Sequence, residues 1–169
     1  MRALVVYESL WGNTEAVARA IAEQLGQSME VEIVDADAAA RSTDGFDLVV
    51  VGGPTHAFSM SRPSTRQNAV DQHGAPHAPR RGIREWLHEL EPTRGTLAAT
   101  FDTRVDKPRL PGSAARAAKQ ELRSLGFEIV MKQESFRVHD YGGPLLDGET
   151  ERAAEWARTI ANAALATGR

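Results

Sequence analysis

Tyr7-Glu8-Ser9-Leu10-Trp11-Gly12-Asn13-Thr14 decides how the rest of this chain is read. It follows the apolar run Ala3-Leu4-Val5-Val6, long enough for a buried strand. It precedes Val17, Ile21 and Leu25, spaced four apart as on one face of a helix. A strand therefore runs into a loop, and the loop opens a helix. The loop offers hydroxyls at Ser9 and Thr14, a glycine where backbone must approach a ligand, and Asn13 for a turn or cap. A helix N-terminus carries unpaired N–H groups and the positive end of the macrodipole, which suits a phosphate.

The loop has neither Gly-x-Gly-x-x-Gly nor Gly-x-x-x-x-Gly-Lys-Ser/Thr, and it holds no Lys or Arg. An anion here must be held by N–H groups and hydroxyls alone. That suits one terminal phosphate ester better than a dinucleotide or a triphosphate. Without a ligand, the same residues read as an ordinary capped turn.

Composition narrows the classes. The 169 residues are enough for one ordinary domain with a full core. An apolar fraction of 41% with 25% charged residues reads as globular. No apolar run approaches the roughly 20 residues that span a bilayer, and strand-like sequence begins at once, so a cytoplasmic location is expected. With no cysteine, redox chemistry here requires a bound cofactor. A formal charge of −3 argues for neither nucleic acid nor a membrane surface.

Strand and helix alternate along the chain. Strands are expected at about 2–7, 30–34, 47–52, 96–101 and 127–131, the last resuming at 135–138. Helices are expected at about 13–25, 82–90, 113–125 and 149–166, with Gly26 and Gly126 as stops. The second strand alternates acidic and apolar residues and reads as a sheet edge; the third is apolar throughout and reads as covered on both faces. Residues 53–79, with Pro54, Pro63, Pro76 and Pro79, read as a long loop with a helical turn near Thr65 to Val70. The pattern predicts a parallel sheet with helices on both faces. Ligands then sit at the carboxyl ends of the strands.

The stretch Ser9-x-x-Gly12-Asn13-Thr14 after the first strand resembles the phosphate loop of flavodoxins, with Trp11 where a third hydroxyl is common. Gly52-Gly53-Pro54-Thr55 is similar to the turn that covers the flavin edge in that family. The resemblance runs over nearly the whole chain and is to single-domain flavodoxins of actinobacterial type. It implies a three-layer, doubly wound, five-stranded parallel sheet in the order 2-1-3-4-5, and it implies FMN. Ser9, Leu10, Trp11, Gly12, Asn13 and Thr14 would meet the phosphate; Pro54, Thr55, His56, Ala57 and Phe58 would lie along the ring. Phe101, Asp102, Thr103, Arg104 and Gly112 belong to the second loop framing the ring. That loop has no Tyr or Trp to stack on the flavin, so the role is vacant or passes to Trp11 or Tyr141.

Four side chains carry further readings. Arg104 either pairs with Asp102 or Asp106, or faces the flavin and favours its anionic reduced form. His56 either bonds to backbone or serves the ring. His73 and His77 have the spacing of metal ligands on a helix, but Gly74 and Pro76 between them forbid that helix. Arg62, Arg66, Arg80, Arg81 and Arg84 face only Asp71 within their loop; they form either a basic rim for an acidic partner or a solvated surface balanced by Glu85, Glu89 and Glu91. A receiver domain would need an aspartate ending strand three, where Gly52-Gly53 stands.

Three functions follow, in order of preference. The first is an FMN electron carrier served by a redox partner protein. The second is an FMN-dependent oxidoreductase acting on a quinone-like or porphyrin-like small molecule. The third is a binding module without FMN.

Overall fold

The computed structural model describes residues 1–168. The elements are β1 (Arg2–Tyr7), α1 (Asn13–Leu25), β2 (Glu30–Asp35), β3 (Leu48–His56), β4 (Ser59–Met60), α2 (Pro63–His73), α3 (Ile83–Glu89), β5 (Leu97–Val105), α4 (Ala114–Ser124), β6 (Glu128–Ile129), β7 (Glu134–Val138) and α5 (Glu149–Thr167).

Period-two alternation builds the three layers. Ala3, Val5 and Tyr7 of β1 face one side and join Val17 and Ile21 of α1 and Trp156 and Ile160 of α5. Leu4 and Val6 face the other and join Ile83, Trp86 and Leu87 of α3 and Leu122 of α4. The sheet runs β2-β1-β3-β5-β6, all parallel. β7 continues the same edge, pairing Phe101 to Val105 of β5 beyond the Leu97 and Ala98 paired by β6. Counted as one interrupted strand, β6 and β7 give the expected order 2-1-3-4-5. The edge strand β2 turns Glu30 and Glu32 outward, where Arg2 meets both.

Three expectations need correction. Residues 53–79 are not a long loop. β3 runs on to His56 and returns through the hairpin strand β4, and eleven residues then form α2. Second, Phe101 to Arg104 lie in the body of β5, so the expected second loop begins after Val105. Phe101 turns into the core, edge-to-face with Phe136 and Trp156, its ring filling the space over Gly52. Third, the basic rim is mostly internal. Arg66 is wholly buried, Arg84 donates to the carbonyls of Met60 and Ser61, and Arg81 pairs with Glu89. Arg62 and Arg80 remain exposed.

No helix among the described residues is long and apolar enough to cross a membrane.

Candidate functional site

α1 begins without a side-chain cap. Gly12, its first flanking residue, adopts φ +98°, and the space where a Cβ would stand is open. The Ser9 hydroxyl accepts the Gly12 N–H at 3.1 Å. Among the described residues, the N–H groups of Leu10, Trp11, Asn13 and Thr14 donate to no protein acceptor. Backbone donors left free at a helix entry, with the dipole behind them, form an anion seat.

Ser9, Leu10, Trp11, Asn13, Thr14, Pro54, Thr55, His56, Thr103 and Arg104 share one groove at the strand ends. Thr14 is buried and bonded, hydroxyl to hydroxyl, to Thr103 at 2.7 Å; this joins the helix entry to β5. Leu10 packs beneath the loop against Ala69 and Ala75. The groove opens into a cavity of about 480 Å³, within the usual range for small-molecule sites. Trp11, Thr55, His56 and Arg104 belong to both, and Ala57 and Phe58 line the cavity.

Ala57 and Phe58 form the two-residue turn between β3 and β4, and both have positive φ, 45° and 71°. Turns of this geometry favour Asn and Gly, so two residues with side chains held here carry strain, a feature that concentrates at functional sites. The turn presents Phe58, 56% exposed, at the cavity mouth. Gly112 sits behind it. A Cβ there would fall on the Phe58 backbone, so Gly112 supports the turn and does not line the cavity.

Asp102 does not line the site either. Its wholly buried carboxylate accepts from the Thr55 and Ser113 hydroxyls and the Ala115 N–H, locking β3, β5 and the start of α4 together. Arg104 pairs with neither expected aspartate; its guanidinium donates to the Leu110 carbonyl at 2.7 Å. Its charge stands where groove and cavity meet.

Three cavity residues from α2, Thr65, Asn68 and His73, had no place in the sequence reading of the site. Their signal was available: Pro63 at the first helical position and Gly74 just past the last, the latter with φ +72°. Tyr141 stacks on His73 with ring centroids 4.0 Å apart, and the Trp11 indole N–H donates to the His73 carbonyl at 3.1 Å. Both aromatics are thereby fixed as cavity walls.

Beneath them lies a buried ionic cluster. Glu8 accepts from the Ser61 hydroxyl and the Ile83 N–H. Arg66 donates to Ser61, to the Pro79 and Arg80 carbonyls and to Glu85. Burial pushes the Glu8 carboxyl up, against the opposing pull of Ser61, Ile83 and Arg66. Burial, followed by the charges of Arg66 and His73, pushes His56 down to about 4.

Comparisons with known proteins agree with this architecture. Residues 4–67 match the flavodoxin domain model. No curated protein sequence matches the chain. The fold superposes on a flavodoxin from the domain Archaea with TM-score 0.65 at 19% identity, covering 98% of this chain and 99% of that one. Flavodoxin 1 from Bacillus cereus gives 0.68 at 18%, covering 96% and 98%. The Streptococcus pneumoniae flavodoxin gives 0.69 at 16%, covering 96% and 99%. The chain is flavodoxin-like. At these identities the solved structures speak for the fold, and nothing in them distinguishes an actinobacterial type.

In this flavodoxin-like site His56 is neutral near pH 7. Its folded value lies below the ordinary 6.5, so between about 4 and 6.5 the unfolded chain binds the proton more readily. His56 therefore makes stability fall as pH drops through that window. The imidazole signals of His56 should stay flat in NMR from pH 5.5 to 8, and His56→Gln should lessen the acid loss of stability in urea melts. A His56 midpoint near 6.5 would contradict this.

Proposed function

We propose that this chain binds FMN and transfers electrons between partner proteins. The observation that carries the reading is the uncapped entry of α1, with its free N–H groups and no cation beside them. Ser9, Gly12 and Thr14 would hold the phosphate. The Pro54–Phe58 turn and the Thr103–Arg104 end of β5 would frame the ring, and FMN would supply the redox chemistry the side chains lack. Arg104 holds a cation at the junction of groove and cavity, which favours negative charge on the reduced cofactor. The exposed Phe58, Leu110 and Tyr141 around the cavity suit contact with a redox partner.

A second reading, an FMN-dependent oxidoreductase acting on a small molecule, is favoured by the cavity wall that α2 adds. A carrier needs only an accessible ring edge; a walled cavity beside it gives a substrate somewhere to sit.

Titration with FMN should quench flavin fluorescence and saturate at one FMN per chain. Ser9→Ala with Thr14→Ala should weaken binding on the order of tenfold or more, since a hydrogen bond to a charged acceptor contributes roughly 1.5–3 kcal/mol. Undiminished affinity would put the phosphate elsewhere. Redox titration of Arg104→Ala should give a more negative potential for full reduction; an unchanged potential would take Arg104 out of the account.

A further inference from the structure

His56 is buried, yet its Nε2 has no hydrogen-bond partner among the described residues. An orphaned polar atom in a buried place is costly, and here it borders the cavity. The other ring nitrogen, Nδ1, lies 3.3 Å from the Thr65 hydroxyl. That hydroxyl accepts the Arg62 N–H at 2.8 Å and donates to the Arg62 carbonyl at 3.1 Å. With its one proton so placed, Thr65 can only accept from His56. The hydrogen-bond network thus assigns the proton to Nδ1 and leaves a lone pair on Nε2. The atom in want of a partner is an acceptor, and its ligand must donate.

The surroundings state the rest. Thr65, Asn68, Ala69 and His73 line the cavity but not the groove that holds Ser9 and Thr14. This α2 side is therefore separate from the phosphate seat. Trp11 and Tyr141 are fixed as aromatic walls by their contacts with His73. Three of the four large apolar side chains that are exposed among the described residues, Phe58, Leu110 and Tyr141, stand at this one cavity. Such a concentration marks a binding surface. Lys107 and Asp140, opposite in charge, both lie exposed at its edge. The buried part offers no net charge to a ligand, because His56 stays neutral.

We infer that the α2 side of the cavity binds a planar aromatic alcohol, whose hydroxyl donates to His56 Nε2 and whose ring lies between the Trp11, Phe58 and Tyr141 walls. Phenols and hydroquinones are the ligand class. The inference deepens the oxidoreductase reading by naming its substrate class. It depends on FMN only for what lies next to the phenol, since His56 and α2 define the phenol's place without it.

The test is calorimetric titration of the full chain with 2-naphthol and with 2-methoxynaphthalene, which keeps the ring and loses the donor. Each is run with and without saturating FMN. 2-Naphthol should bind in both states, the methyl ether at least tenfold more weakly, and folded His56→Leu should bind the two alike. Equal affinity in the native chain overturns the inference, as does a preference that survives in His56→Leu. Loss of 2-naphthol binding on FMN saturation also overturns it, because ring and phenol would then share one place. Failure of FMN itself to bind would count against the cofactor alone; the naphthol preference in the FMN-free chain still decides this site. Long-range ¹H–¹⁵N spectra of the native chain give a check that needs no variant. The Nδ1–H tautomer is expected, with Nε2 shifting on naphthol addition; an Nε2–H tautomer overturns the inference.

Discussion

A helix that starts without a side-chain cap leaves its first N–H groups in want of acceptors. α1 starts this way, behind Gly12 in the left-handed region, while the neighbouring Ser9 hydroxyl serves only the Gly12 N–H. The open donors point where β1, β3 and β5 end, and the Thr14–Thr103 hydroxyl pair holds that junction together. Everything proposed for the cofactor depends on this arrangement. An anion bound there completes the helix cap, and no side-chain charge is needed to hold it.

The second support of the site is buried. Arg66 reaches from α2 into the interior and binds Ser61, Glu85 and two carbonyls, while Glu8 takes Ser61 and the first N–H of α3. One connected cluster therefore ties the end of β1 to the hairpin, α2 and α3. It places α2 as a wall of the cavity and sets a positive charge near His56, which keeps that imidazole neutral. Removing one member of such a cluster exposes the others to the full cost of buried, unpaired charge.

What could be read from the sequence, and what could not, follows from these physics. β1, α1, β3 and α5 announced themselves through apolar periodicity, because each buries a continuous face against the sheet. The edge strand β2 gave its place away through alternating Glu and apolar residues. α2 has almost no apolar face: only Arg66 and Ala69 are buried in it, so periodicity was silent and only Pro63 and Gly74 marked its ends. The same gap hid Thr65, Asn68 and His73 from the site. Phe101 and Asp102 were placed at the ring by resemblance to a loop, whereas β5 extends further here. Alternation along it sends Phe101 into the core and gives Asp102 to the cap of α4.

The most direct test of the central claim is an amide ¹H–¹⁵N spectrum of the chain titrated with FMN and, separately, with riboflavin, which has the ring but no phosphate. The account predicts that the amides of Leu10, Trp11, Asn13 and Thr14 move downfield with FMN and hold still with riboflavin. FMN binding that leaves those four amides unmoved would contradict it.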